Sequence, residues 1–319
     1  MMAVQTYLAA RGRAVLDKGR AAVDVILHVG AHRTGLTSFC AYLAGQRAHL
    51  RAHDTEVWTP RDTRHGLMDG LFLASGRSGV ARRRARGAGR VALRVAGLQR
   101  REVSDLLVIE PNMLGSLGDN VRRQRLYPAT GERMARMSHA FGGQVRRVIL
   151  TVRSLEDFWT SSLSWAVPQG ARVPNAGALD RLVTQPRSWR DVITDLACAV
   201  PGADILVAPY ERLGGRNHDI VEYAVAGRFS MPRNGEEIVL KEAPALGELR
   251  QVLRDRGQTD LGLPDGWGRW RPFDAVQSAT LREIYADDMH WLRAGADGLA
   301  FLIEEAAFDQ TGNTPLAGA

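Results

Sequence analysis

Five short apolar runs, separated by segments with helical spacing, constrain the fold of this chain more than any other feature of its sequence. The runs are almost continuously apolar and do not alternate with polar residues, which is typical of strands buried on both faces of a parallel sheet. They are VDVILHV at 23–29, TEVWT at 55–59, LLVIE at 106–110, RRVILTV at 146–152 and ADILVA at 203–208.

Segments with helical periodicity lie between the runs, at 37–50, 132–141 and 187–200. The alternation of strand and helix predicts an α/β fold, in which a P-loop-type parallel sheet of about five strands is flanked by helices. After residue 212 the pattern is mostly helical, with clear helices at 243–257 and 278–294. We therefore predict a single domain over 1–319. Its three parts are an N-terminal surface helix at 1–22, an α/β core at 23–212 and a mostly helical C-terminal portion at 213–319.

Composition narrows the classes of function that fit this chain. Its 45% hydrophobic and 24% charged residues are typical of a globular protein. The formal net charge is +7, but Lys18 and Lys241 are the only lysines among 42 basic residues, and the arginines are spread over the whole chain. The arginine-rich run at 81–102 has no aromatic residues among its charges, so a solvated helix face explains it better than a nucleic-acid site. The positive field would still attract an anionic ligand.

Targeting signals and cysteines indicate the expected compartment. The N-terminal segment lacks the continuous apolar stretch of a signal peptide, and no apolar run of membrane length follows it. Cys40 and Cys198 are far apart and do not have the spacing of metal ligands. We therefore expect a cytoplasmic protein without a disulfide framework, which acts on neither nucleic acid nor membranes.

The loop after the first apolar run has the glycine spacing of a phosphate-binding loop. In GAHRTGLTS (30–38), Gly30 and Gly35 enclose four residues, as in the Walker A motif G-x-x-x-x-G-K-[ST]. The position of the Walker lysine holds Leu36, whereas a positive charge is present at Arg33. Exposed backbone N–H groups and the dipole of the following helix favour an anion at such a loop. Three hydroxyl side chains add further donors: Thr34, Thr37 and Ser38.

Residues able to bind or act on an anion also follow three of the other four apolar runs. In open α/β sheets, ligands bind outside the carboxyl ends of the strands. The segments at those ends are PRDTRHG at 60–66, PNMLG at 111–115, RSLEDFWTSS at 153–162 and PYERL at 209–213. The sequence therefore predicts an anion site at this edge of the sheet.

The first loop resembles the 5′-phosphosulfate-binding loop of the sulfotransferases that use PAPS (3′-phosphoadenosine 5′-phosphosulfate). The family's pattern is a basic residue, Ser or Thr, Gly, Thr and Thr, and this chain has RTGLT at 33–37. The family's second signature closes a strand with Arg and places Ser eight residues later, as Arg153 and Ser161 are placed here. The resemblance, which includes bacterial sulfotransferase-like proteins, spans about residues 23–292 and implies a sulfotransferase-like fold.

The resemblance also implies an activity and a set of ligand-binding residues. It implies an enzyme that moves a sulfuryl group from PAPS to a hydroxyl or amine of a small molecule or glycan, without a metal ion. Arg153 and Ser161 would hold the 3′-phosphate, and Tyr210 would lie near the adenine. The loop would supply the remaining binding residues: Gly30, His32, Arg33, Thr34, Gly35, Leu36, Thr37 and Ser38. Arg33 would also act in catalysis. Leu36 departs from the pattern, and the missing hydroxyl would weaken binding by about 1 kcal/mol.

Three residues are candidates for the base that takes the acceptor's proton. The family places this base after the second strand, where Asp62-Thr63-Arg64 resembles the Glu-Thr-Arg of tyrosylprotein sulfotransferases and His65 follows. Asp62 is equally well explained as a turn or N-cap residue, and His65 as an ordinary surface histidine. Glu110, which ends the third run, is either paired with an arginine or poised for catalysis. Arg64 is a further candidate catalytic residue.

Two other functions remain open on the sequence alone. A protein of this fold could bind a nucleotide or a protein partner without catalysing a reaction, and the leucine at position 36 is consistent with that. A P-loop kinase or NTPase would need a lysine at position 36 and an aspartate for Mg²⁺, and the sequence clearly supplies neither.

Overall fold

The computed structural model of this chain describes residues 22–73, 78–185, 187–233, 243–258 and 262–304, together with Thr6. Thr6 is helical, but the helix predicted at 1–22 otherwise lies outside the described residues.

Six parallel strands form one sheet at the centre of the molecule. They are β1 Asp24–His28, β2 Thr55–Trp58, β3 Asp105–Ile109, β4 Val145–Val152, β5 Asp204–Pro209 and β6 Phe301–Leu302. Their order is β2-β3-β1-β4-β5-β6, and every neighbouring pair is parallel. The five predicted strands are confirmed to within one residue at each end. The count of about five was wrong by one, because β6 is a two-residue edge strand and two residues carry no periodicity.

Helices connect the strands and cover both faces of the sheet. Before β4 they are α1 Leu36–Gly45, α2 Arg47–Ala52, α3 Pro60–Asp62, α4 Val80–Gln99, α5 Leu117–Arg123 and α6 Thr130–Ala140. After β4 they are α7 Leu155–Ala166, α8 Ala176–Thr184, α9 Trp189–Ala199, α10 Tyr210–Leu213, α11 Asn217–Ala224, α12 Leu246–Asp255 and α13 Ala275–Arg293. The segment predicted as one helix at 37–50 is two helices, because the backbone leaves helical geometry at Gln46.

Alternate residues of each strand face two separate apolar cores, one on each side of the sheet. In β1, Val25 and Leu27 pack in the core that includes residues of α4, α6 and α9, whereas Ile26 packs in the core that includes residues of α1 and α11. Each fully buried side chain of this kind stabilises the fold by about 1.5–3 kcal/mol. Burial on both faces is the physical reason why the strand sequences are continuously apolar.

The strand order creates a crevice at the carboxyl ends of β1 and β4. The chain leaves β1 toward β2 and β3 on one side, and it leaves β4 toward β5 on the other. Ligands of open α/β sheets bind at such a topological switch point. Both segments with the predicted phosphate signatures, the loop after β1 and the start of α7, begin at this crevice.

The described cysteines and helices bear on the expected compartment. Cys40 and Cys198 are both free thiols, and burial raises the pKa of Cys40 to about 11. Cys40 is therefore protonated at neutral pH. Within the described ranges, no helix combines the length and the apolar character needed to cross a bilayer.

His28 ends β1 with a fully buried imidazole. Its ring centroid lies 5.0 Å from that of Phe39, and its Nε2 lies 3.4 Å from Thr151 Oγ1. Burial lowers the pKa of His28 to about 4. A histidine in the unfolded chain has a pKa near 6.5, so below that pH unfolding lets the imidazole take up a proton. The free energy of unfolding contributed by the buried neutral ring is therefore fully present above pH 6.5 and is lost progressively as the pH falls toward 4.

We predict that His28→Gln will weaken the acid sensitivity of folding. Urea unfolding at pH 7.5 and pH 5 measures how much unfolding free energy each protein loses on acidification. The loss should be about 2 kcal/mol smaller in the variant, because one buried imidazole no longer takes up a proton on unfolding. Equal losses in the two proteins would show that His28 does not titrate as its burial requires.

Candidate functional site

The loop after β1 stays attached to β4 before it turns into α1. Val29 N donates to Ile149 O at 3.0 Å, and Ala31 N donates to Thr151 O at 2.8 Å. Beyond that point, Thr34 Oγ1 donates to Ala31 O at 2.7 Å and closes the turn. The register of two strands therefore fixes where the loop begins.

A left-handed backbone at two positions directs the loop into the helix. Arg33 has φ 63° and Gly35 has φ 77°. Gly35 also approaches Tyr210 closely, since an added Cβ would lie 3.4 Å from the tyrosine ring. The first N–H groups of a helix have no partner within the helix, so α1 directs those of Leu36 and Thr37 toward this loop. Such a terminus favours an anion.

A cavity of about 840 Å³ opens beside this loop at the carboxyl edge of the sheet. We call it the arginine cavity, because its described lining contains four arginines and no aspartate or glutamate. The arginines are Arg33, Arg64, Arg153 and Arg269. Eight of the eleven residues predicted to bind a cofactor also line it: His32, Arg33, Gly35, Leu36, Thr37, Arg153, Ser161 and Tyr210.

The two phosphate signatures, far apart in sequence, meet in the arginine cavity. Arg33 Nε donates to Ser161 Oγ at 2.9 Å, and Arg153 Nη1 donates to the carbonyl oxygen of Arg33 at 2.9 Å. Burial, and then the charge of Arg153, lower the pKa of Arg33. Two arginines held this close repel each other, and a bound anion would relieve that repulsion.

Arg153 has hydrogen-bonding capacity that the described residues do not use. Its guanidinium carbon lies 4.9 Å from the centroid of the Tyr210 ring. Its Nη2 is 4.0 Å from Asp157 Oδ1, too far for a hydrogen bond, and Asp157 is instead 2.6 Å from Arg269 Nη2. Its Nε is buried without a partner in the described structure. An arginine in this state fits an anionic ligand with several acceptor oxygens.

Glu110 is fully buried and holds Arg64 in place. Its carboxylate accepts from Arg64 Nε at 2.9 Å and from Arg64 Nη2 at 2.7 Å. It also accepts from Thr63 Oγ1 at 2.8 Å and Asn112 N at 3.0 Å. The hydrogen bonds from Arg64 to Glu110 raise the pKa of Arg64. The Arg64 side chain is 43% exposed and lines the arginine cavity. Of the two alternatives for Glu110, its placement favours structural pairing with an arginine.

The other two candidate bases lie outside the arginine cavity. Asp62 Oδ2 accepts from Thr59 N at 2.8 Å and from Thr59 Oγ1 at 2.9 Å. Asp62 is thus the N3 residue of a capping box whose N-cap is Thr59. Asp62 and His65 line a second cavity of about 510 Å³ with Trp58, Arg90 and Arg94. The described lining of the arginine cavity thus includes Arg33 and Arg64 from the catalytic candidates but none of the three proposed bases. The identity of the base stays a prediction.

His32 is a neutral, fixed member of the arginine cavity. Its backbone N–H donates to the Tyr127 hydroxyl at 2.9 Å, and that hydroxyl lies 2.8 Å from His32 Nδ1. The hydroxyl therefore donates to Nδ1, which leaves the proton on Nε2, 3.3 Å from Asn112 Oδ1. Burial lowers the pKa of His32 to about 4, so the ring carries no charge at neutral pH.

The remaining loop residues from the prediction lie beside or beneath the arginine cavity rather than in its lining. Gly30 directly follows Val29, whose N–H donates to Ile149 O. Thr34 and Ser38 are buried and line a small space of about 30 Å³ with His28. The Thr34 hydroxyl therefore stabilises the loop from within the fold, through its bond to Ala31 O.

Sequence reasoning missed several residues that line the arginine cavity, chiefly Arg269, Trp165 and Ser116. A signal was present for Trp165, which follows Ser161 by four residues on one helix and so shares its face. Arg269 lies between the helices predicted at 243–257 and 278–294, where the sequence predicts neither helix nor strand. The sequence contains nothing that places this segment against α7.

The chain matches no model of a known protein family and no curated protein sequence.

We predict that Arg64→Ala will lower the free energy of unfolding by about 2 kcal/mol, because it leaves the buried Glu110 carboxylate without its cation. Chemical denaturation measures the change. Arg47→Ala is the matched control, since Arg47 Nη2 is 3.4 Å from Asp62 Oδ2 in a partly exposed pair, and its removal should cost less than about 1 kcal/mol. Similar losses in the two variants would contradict the role given to Glu110.

Proposed function

We propose that this protein is a PAPS-dependent sulfotransferase that moves a sulfuryl group to a hydroxyl or amine by in-line transfer. The observation that carries the proposal is the meeting of Arg33, Arg153 and Ser161 in one cavity at the switch point of a parallel sheet. The two signatures implied for the 5′- and 3′-phosphates are remote in sequence, so their convergence supports a single ligand with phosphates at both ends.

The chain's own groups suggest how such a ligand would be held. Arg33 and the N–H groups of Leu36 and Thr37 would hold the 5′-phosphate at the start of α1. Arg153 and Ser161 would hold the 3′-phosphate. The Ser161 hydroxyl accepts from Arg33 and can still donate its own proton to a phosphate oxygen. Tyr210, against which Arg153 packs, would bound the adenine.

In the proposed reaction the acceptor oxygen or nitrogen forms a bond to sulfur as the bond from sulfur to the 5′-phosphate oxygen breaks. The electron pair of the broken bond remains on that phosphate oxygen, where Arg33 would stabilise the developing negative charge. The acceptor's proton passes to a base, for which the partly exposed Asp62 and the exposed His65 remain candidates, although both line the second cavity rather than the arginine cavity. The proposal requires no metal ion.

Titration calorimetry with PAP (adenosine 3′,5′-bisphosphate) tests the proposal. PAP should bind with micromolar or tighter affinity, ATP should bind far more weakly, and Mg²⁺ should make no difference. Equal affinity for ATP, or a requirement for Mg²⁺, would favour the P-loop kinase or NTPase instead. Tight PAP binding without transfer from radiolabelled PAPS to any acceptor tried would favour a catalytically silent binding protein.

We predict that Arg153→Ala will weaken binding of PAP much more than binding of adenosine 5′-phosphosulfate, which has no 3′-phosphate. The loss for PAP should be about ten- to a hundredfold, the size expected for a charged hydrogen bond. Arg33→Ala should weaken both ligands, because both carry the 5′-phosphate. Calorimetry with each ligand and each variant measures the four affinities.

Arg190→Ala is the matched control for this experiment. Arg190 lies 4.9 Å from the Trp291 ring centroid, as Arg153 lies 4.9 Å from Tyr210, but it does not line the arginine cavity. It should leave both affinities unchanged. If Arg153→Ala reduces the two affinities equally, Arg153 does not hold a 3′-phosphate.

A further inference from the structure

An exposed tryptophan directly precedes two residues that line the arginine cavity, and the proposed nucleotide does not need it. Gly268 and Arg269 line the cavity, and Trp267, directly before them, is 91% exposed. In the described part of the chain, Leu93 and Val276 are the other large hydrophobic side chains with high exposure. Trp267 is the one of these three whose sequence neighbours line the cavity.

The backbone around Trp267 is shaped to turn the indole outward. Gly266 has φ 110° and Gly268 has φ 90°, so both residues that flank the tryptophan have a conformation that side chains rarely allow. An added Cβ at either glycine would meet no atom within 4 Å. Conformation, and not lack of space, therefore accounts for glycine at both positions.

The segment that carries Trp267 is fastened on both sides to the start of α12. Leu246 N donates to Gly268 O at 2.8 Å, and the Arg250 guanidinium donates to Gly266 O. The indole lies along the helix start, where a Cβ added to Gly247 would be 3.8 Å from its ring. The backbone on both sides of Trp267 is thus held in place next to the cavity lining, which lowers the entropy lost when a ligand packs on the ring.

We propose that Trp267 is a stacking surface for a sugar ring of the acceptor, so that the acceptor is an oligosaccharide. A pyranose ring has an apolar C–H face, which packs on an indole, and a rim of hydroxyls, which need polar partners. The neighbouring lining supplies such partners in Arg269, Ser116 and Asn112. A lipid chain would need a continuous apolar surface, whereas Trp267 is flanked by glycines and followed by an arginine.

The position of Trp267 also indicates the length of the acceptor. Arg33, where the sulfuryl group would be released, lines the cavity, whereas Trp267 is absent from the described lining and directly precedes Gly268 and Arg269, which belong to it. A ligand that contacts both would extend from within the cavity to a residue outside its described lining, as an oligosaccharide can. This inference rests on the proposed function, because it assigns one end of the cavity to the sulfuryl donor.

Binding of neutral oligosaccharides to the PAP-saturated protein tests the inference. Maltotetraose, cellotetraose and chitotetraose carry no charge, so the net positive charge of the chain cannot attract them. Saturation-transfer NMR and calorimetry should find at least one that binds with millimolar or tighter affinity. Trp267→Ala should weaken that binding by about tenfold, whereas Trp267→Phe should retain part of it. Leu93→Ala, which removes another exposed apolar side chain, should have no effect.

The affinity for PAP distinguishes failure of this inference from failure of the proposed function. Trp267→Ala should leave PAP binding unchanged, because the indole is absent from the described lining of the cavity. If the wild-type protein does not bind PAP, the proposed function fails. If PAP binds but no tetrasaccharide does, or if Trp267→Ala binds a tetrasaccharide as well as the wild type, the stacking role of Trp267 is overturned and the sulfotransferase proposal stands.

Discussion

The pairing of β1 with β4 is the constraint on which the whole site depends. Hydrogen bonds between these strands continue beyond the end of β1, to Ala31. They therefore place Arg33 beside Arg153, which follows β4. Because side chains of a strand alternate between its two faces, a shift of one residue in this register would turn Arg153 away from the loop. The apolar residues of both strands oppose such a shift, since each face has its own core.

The four arginines of the cavity are stabilised in two different ways. Arg64 and Arg269 are each paired with a carboxylate, Glu110 at 2.7 Å and Asp157 at 2.6 Å. Arg33 and Arg153 instead contact a serine hydroxyl and a backbone carbonyl. The hydrogen bonds at Arg33 and Arg153 thus bring two positive charges together through Ser161 and the Arg33 carbonyl group, and both charges would attract an anion placed there. This difference, more than the number of arginines, defines where a phosphate group would bind.

Local signals in the sequence predicted the sheet and the loop, and they did so for physical reasons. Strands buried on both faces must be apolar at every position, and a chain that turns sharply before a helix needs glycine where Gly35 is. Features that depend on distant segments could not be predicted. The two-residue β6 is a strand only because β5 offers an open edge, and Glu110 is paired because the turn at Thr63–Leu67 brings Arg64 over it. Arg269 and Trp267 belong to the same class, since contacts with α12 and with Asp157 of α7 place their segment at the cavity.

Asp157 gives the two sides of the cavity a common counter-ion. Its carboxylate lies 2.6 Å from Arg269 Nη2 and 4.0 Å from Arg153 Nη2, and both arginines line the arginine cavity. The energy of each ion pair depends on its separation. A movement of the carboxylate toward one arginine therefore weakens its attraction to the other. Under the proposed function, an acceptor that drew Arg269 away from Asp157 would leave this carboxylate to pair with Arg153, whose charge would then hold a phosphate less strongly. One shared carboxylate would thereby couple the binding of the acceptor to the release of the nucleotide product.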